Sequence, residues 1–152
     1  MDLWRISNHR SLSGDSGLKY SARWHTAGHR IVYLAESPAG ALVEVLVHLE
    51  LDEDNLPPSY TLLRVTVPDN VNISNLTGPS GEAWKLNLQV SRGRGDEWLR
   101  EGRTAVARVP SVILPATFNY LLNPLHPDAG RIQILSAAKA KFDPRLLRNV
   151  SG

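Results

Sequence analysis

Apolar residues run, alternate or recur along the chain at intervals that predict a succession of short elements. Leu3 to Ile6 reads as a brief opening strand, and Ser13-Gly14-Asp15-Ser16-Gly17 as a loop, because small polar residues and glycine favour turns. Ile31 to Ala35 is an apolar run rich in β-branched and aromatic side chains, which predicts a buried strand. Ser37-Pro38 then has the form of a helix start, a capping residue followed by proline at the first helical position. Ala41, Leu42, Val45, Leu46 and Leu49 recur at helical spacing, so an amphipathic helix is expected over Ala39 to Leu49, with Glu44 in its apolar neighbourhood. Pro57-Pro58 breaks the chain, and Tyr60 to Val67 alternates as a strand that ends at Pro68.

Trp84 to Gln89 and Asp96 to Glu101 suggest two short helices around a flexible Gly93-Arg94-Gly95; the second has Asp96 and Glu97 in its first turn and Arg100 near its end, in agreement with the helix dipole. Thr104 to Val109 and Ile132 to Ser136 read as strands. Val109-Pro110-Ser111-Val112 closes the first of these, and Leu122-Asn123-Pro124-Leu125-His126-Pro127 forms a loop between them. Strands and short helices without regular βαβ alternation predict an α+β domain.

Composition narrows the picture. At 152 residues, with 42% apolar and 21% charged residues and no internal repeat or linker, the chain is expected to fold as one domain over 1–152. It has no cysteine, so disulfides and thiolate metal sites are excluded and the chemistry rests on hydroxyl, carboxylate, imidazole, guanidinium or phenol groups. A cytoplasmic location is expected, since the N-terminal residues lack an apolar signal segment and no stretch reaches the roughly eighteen apolar residues of a membrane span. The net charge is only +2, and Arg92, Arg94, Arg100, Arg103 and Arg108 are interspersed with Gly93, Gly95, Asp96, Glu97 and Glu101. That pattern suits a solvated face or a protein-partner surface better than a nucleic-acid interface.

Chemistry-bearing residues bracket one strand-to-helix transition. Arg23-Trp24-His25 precedes Gly28, then the strand with Tyr33, then the helix with Glu44. A carboxylate among Leu42, Val43, Val45 and Leu46 needs a partner, since an unpaired buried charge is costly. Ser111 follows a proline at a strand end, where a loop can present its hydroxyl to a cleft. Taken singly, each residue also has a plain reading: Glu44 on an exposed helix edge, Arg23 in a surface salt bridge, Tyr33 in the core, Ser111 in a turn. Periodicity does not decide between them. No G-x-S-x-G elbow surrounds Ser111, and His126 lies in a loop between prolines, which argues against serine hydrolysis. His25 and His29 are four apart, but Gly28 argues against a helix there and no H-E-x-x-H pattern exists, so no metal site is expected. Phosphate-binding glycine motifs are likewise missing.

Read together, Arg23-Trp24-His25-Thr26-Ala27-Gly28, Ile31-Val32-Tyr33-Leu34-Ala35-Glu36-Ser37 and Ala41-Leu42-Val43-Glu44-Val45-Leu46 resemble the signature of the RES domain, named for its arginine, glutamate and serine. Gly95-Asp96-Glu97-Trp98-Leu99, Val109-Pro110-Ser111, Asn119 to Pro127 and Phe142-Asp143-Pro144-Arg145-Leu146 resemble its second half in the same order, so the likeness covers almost the whole chain. One position departs: many members have asparagine where this chain has His25, and no role is assigned to it.

The resemblance implies a compact domain similar to ADP-ribosyltransferases, with a mixed central sheet and short helices. It implies a toxin of a type II toxin-antitoxin module that depletes NAD⁺ by cleaving the nicotinamide-ribose bond, through hydrolysis or through phosphorolysis with inorganic phosphate as co-substrate. Arg23, Tyr33, Glu44 and Ser111 are the implied catalytic residues, with Arg5, Arg23, Tyr33 and Asn123 contacting substrate. Glu44 is expected to stabilise positive charge on the ribose, the arginines to hold phosphate or ribose oxygens, Tyr33 to stack on or orient nicotinamide, and Ser111 to bond the ribose or the carboxylate. NAD⁺ is the substrate, and no bound cofactor or metal is implied. The expected partner is an Xre-type helix-turn-helix antitoxin that blocks the site in a hetero-oligomer, leaving DNA binding to the partner. Two alternatives stay open: transfer of ADP-ribose to a protein, and a non-catalytic module that binds a nucleotide or protein.

Overall fold

A computed structural model describes residues 1–48, 58–77 and 83–147. The expected helix end at Leu49 and the break at Pro57 lie outside the described residues. The core is a seven-stranded sheet built from β1 (Asp2–Ile6), β2 (Val32–Ala35), β3 (Tyr60–Thr66), β4 (Ile73–Asn75), β5 (Val106–Pro110), β6 (Phe118–Leu122) and β7 (Gln133–Ala140), in the order β4-β5-β6-β2-β1-β3-β7. Only β4 and β5 run parallel; the other neighbours are antiparallel. With helices α1 (Ser16–Lys19), α2 (Pro38–His48) and α3 (Leu88–Glu101), this is the α+β architecture expected from the pattern.

Apolar side chains fill both sides of the sheet's middle. Val106 of β5 and Leu122 of β6 join Leu3, Val32, Leu63 and Val65 in one buried cluster, whereas their neighbours Ala107, Val109 and Leu121 turn to the other face and meet Trp24, Trp84 and Trp98. The period of two along a strand produces this division. Tyr33 sits opposite Leu121 in register, and Asn119 lies two residues before it, so both belong to the tryptophan-bearing face.

Local chemistry explains the helix boundaries. Ser37 Oγ accepts the Gly40 N–H at 3.0 Å, the N-terminal cap expected of Ser37-Pro38. Asn87 caps α3 by accepting the Gln89 N–H, and Gly102, in the left-handed region at φ 62°, closes it with its N–H on the Trp98 carbonyl. The two helices expected around a flexible glycine segment do not form as such. A 3-10 turn covers Ala83–Leu86, and one continuous α3 passes straight through Gly93 and Gly95. Gly95 is a packing residue: a Cβ there would stand 1.6 Å from the Trp24 carbonyl oxygen. Its bare backbone lets α3 lie close against the 22–25 segment.

Other boundaries also differ from expectation. A single helical turn, α1, begins within the predicted loop, and the last strand runs on to Ala140. The strand expected over Thr104 to Val109 starts at Val106, because Thr104 Oγ1 is taken up in bonds to the Trp98 indole N–H and the Val106 carbonyl. β4 and β6 were not predicted; β6 is the strand that joins β2 to β5.

One seam in the sheet positions the site. β1 pairs with β3 through five residues but with β2 only at Trp4 opposite Ala35. Arg5 lies in the resulting gap, where its Nη1 donates to the Tyr33 carbonyl of β2 at 3.2 Å.

Candidate active site

A cleft of about 480 Å³ opens over this seam, with Arg5, Arg23, Tyr33, Glu44 and Asn119 among mainly apolar walls. β1 supplies Arg5, β2 Tyr33, α2 Glu44 and β6 Asn119, while Arg23 comes from the segment pinned under α3. Four of the six residues expected from sequence thus converge on one cleft, and a fifth, Ser111, touches it through Glu44.

Glu44 is half-buried, and its Oε1 accepts from Asn119 Nδ2 at 2.8 Å. Ser111 Oγ approaches the same oxygen at 3.4 Å, too long for a strong O–H···O bond but with the hydroxyl directed at the carboxylate. That hydroxyl also accepts the Ile113 and Leu114 N–H groups, each at 3.2 Å. With its acceptor capacity engaged by backbone and its proton toward Glu44, Ser111 braces the carboxylate and the loop after β5, and is not poised as a nucleophile.

Tyr33 is fixed at its tip. Its oxygen accepts the Trp24 N–H at 3.1 Å and lies 2.8 Å from His25 Nδ1. His25 is 2% exposed, and its Nε2 stands 3.2 Å from the Gly17 carbonyl. A carbonyl can only accept, so Nε2 carries the ring proton, Nδ1 is an acceptor, and the Tyr33 hydroxyl donates to it. Burial raises the Tyr33 hydroxyl well above its ordinary value and lowers that of His25, which keeps both neutral. The phenol is therefore tied into the protein and the Tyr33 ring forms part of the cleft wall.

The two arginines are anchored by carbonyls. Arg23 Nη1 donates to Lys85 O at 3.0 Å, Arg5 to Tyr33 O. Burial lowers the pKa of Arg5, and its Nε is enclosed with no hydrogen-bond partner among the described residues. A guanidinium stays charged in such a setting, so the cleft carries cationic forks near one anionic carboxylate.

Asn123 stands elsewhere. It is 5% exposed in the turn after β6, where its Oδ1 accepts the Leu125 N–H, and it lines a separate depression of about 320 Å³ with Gly28 and Asp96. Its geometry is that of a turn residue, outside the Glu44 cleft. Conversely, the sequence reading missed Asn119 as a site residue and gave His25 no role. Asn119 carried a usable signal, a lone amide within the aromatic and apolar run Phe118-Asn119-Tyr120-Leu121-Leu122.

Among the described residues no group of three or more His, Asp or Glu side chains is placed to hold a metal ion, and no helix is long and apolar enough to cross a membrane.

Comparison with known proteins adds the following. The family profile described as the RES domain matches residues 2–143. Similar proteins include one named Toxin Res from Pseudomonas putida, 44% identical over 88% of this chain and 92% of its own length. Another, named Prs ADP-ribosylating toxin, from a Sphingobium species, is 36% identical over 95% of this chain and 96% of its own. A Toxin Res from Yersinia enterocolitica is 32% identical over 96% and 99%.

Proposed function

This chain belongs to the RES-domain family, and from that premise we propose that it is a toxin that consumes NAD⁺ by breaking the nicotinamide-ribose bond. The observation that carries the reading is the carboxylate of Glu44, held by Asn119 and Ser111 in a cleft that also contains Arg5, Arg23 and the Tyr33 ring. The relatives named as toxins support the biological role.

The chemistry asks for little else. As the C1′–N bond breaks, its electron pair neutralises the nicotinamide ring and positive charge develops on the ribose. A carboxylate with a fixed position stabilises that charge in the transition state and accepts hydrogen bonds from the ribose hydroxyls. Asn119 and Ser111 hold Glu44 in place, so little reorganisation accompanies the reaction. The arginines bind the phosphates, and Tyr33 forms the surface against which nicotinamide stacks. The ribosyl cation is captured by an oxygen of water or of inorganic phosphate, which loses its proton to solvent.

A second reading uses the same pocket to transfer ADP-ribose to a protein, and the relative named as an ADP-ribosylating toxin favours it. Incubation with NAD⁺, with and without phosphate, separates the routes when nicotinamide and ADP-ribose products are followed by chromatography and labelled NAD⁺ is followed on a protein gel. Free ADP-ribose indicates hydrolysis, its phosphorylated form phosphorolysis, and label on a protein band transfer. No turnover by any route, with intact binding of nucleotide, indicates a non-catalytic module.

An enzyme of this kind requires restraint, and an Xre-type helix-turn-helix antitoxin that covers the cleft is the partner the family implies. Co-expression with the neighbouring gene is expected to yield a hetero-oligomer; purification of this chain alone from such cells contradicts that expectation.

A further inference from the structure

We propose that Arg92 of α3 joins Arg23 to form a diphosphate-binding site at the rim of the Glu44 cleft. The identity of the ligand as a dinucleotide rests on the function proposed above; the anion site rests on its own geometry.

Arg92 reaches from α3 to the short stretch of chain that itself carries Arg23. Arg92 Nε donates to the Ala22 carbonyl at 2.7 Å, and Ala22 and Arg23 both line the cleft. Next to Arg92, the buried Ser91 Oγ donates to the Arg23 carbonyl at 2.5 Å, while Arg23 itself reaches Lys85 O. These bonds tie residues 22–23, the Ala83–Leu86 turn and α3 into one unit, so the two guanidinium groups are fixed relative to each other.

Among the described residues, neither charge is met by a carboxylate. Each guanidinium is oriented by one bond to an uncharged carbonyl, and among the described residues no carboxylate pairs with either. Asp96, the acidic side chain of α3 that faces this region, is engaged by the Thr26 N–H and His29. With Nε committed, the Nη groups of Arg92 bond no described residue. Two half-buried guanidinium groups on one structural unit, neither of them paired with a carboxylate among the described residues, favour an anion bound beside them. A diphosphate matches them in charge, and its oxygens suit planar guanidinium forks.

Calorimetric titration with inorganic pyrophosphate and with ADP-ribose tests the site, using wild type, R92Q, R92K and R94Q, with thermal melts to confirm folding. Arg94 is an exposed neighbour on the same helix, and its loss removes the same net charge. R92Q is expected to weaken both ligands by about tenfold or more, and R94Q by no more than about twofold. R92K, which keeps the charge but not the fork and serves if R92Q fails to fold, is expected to lose about threefold. Unchanged affinity in the Arg92 variants that fold, equal losses in R94Q, or no binding of either ligand by wild type overturns the proposal. Arg92-dependent binding of pyrophosphate without any binding of ADP-ribose keeps the anion site and removes the dinucleotide reading.

Discussion

His25 and Tyr33 show how a single buried pair can make the fold sensitive to pH. His25 accepts the Tyr33 proton on Nδ1 and donates from Nε2 to Gly17 O, an arrangement open only to the neutral ring. Burial holds its pKa below the ordinary 6.5. Below that value the unfolded chain takes up a proton that the folded chain refuses, so stability is fully present above pH 6.5 and falls as the pH drops toward the folded-state value. Urea midpoints measured between about pH 7.5 and about pH 5 should decline for wild type and decline less for His25→Asn, which cannot take up that proton. Equal slopes would show that other groups dominate. The sequence named Tyr33 and Glu44 through their place in a linked motif, but nothing in it told that the hydroxyl of Tyr33 faces inward to His25 while its ring lines the cleft. That division depends on a neighbour eight residues away and on the Trp24 amide.

At the scale of elements, α3 carries the plainest contrast between reading and structure. Two glycines suggested a flexible break between two helices, yet they have unlike surroundings: a Cβ at Gly93 would meet nothing within 4 Å, and one at Gly95 would strike the Trp24 carbonyl. Gly93→Ala is therefore expected to stabilise the protein by about 0.5–1 kcal/mol through helix propensity. Gly95→Ala is expected to cost about 3 kcal/mol or more, because helix and segment must separate. Thermal denaturation of the two variants checks the pair, and similar behaviour would contradict the packing role. Helix α2 was legible because its start is written locally, in Ser37-Pro38 and the apolar spacing that follows. β6 was not, since Phe118, Tyr120, Leu121 and Leu122 give no clean alternation, and its register is set by β2 and β5 from distant parts of the chain. Asn119 was lost as a site residue together with its strand.

Across the whole molecule, β1 and β2 share a single paired position, and it is at this seam that Arg5, Tyr33 and the α2 carboxylate meet over one cleft. The α+β class followed from the order of elements alone, whereas the seam did not, because it reflects how few residues β1 shares with β2. Asn123 stands outside this cleft, in the turn after β6, where its Oδ1 accepts the Leu125 N–H. In the proposed function Glu44, braced by Asn119 and Ser111, stabilises a developing ribosyl cation. Nicotinamide release from NAD⁺ by wild type and by Glu44→Gln, with unfolding transitions compared in parallel, tests it most directly. Release by wild type and a loss of about 100-fold or more in the folded variant are expected; release by Glu44→Gln at the wild-type rate would contradict this role for Glu44.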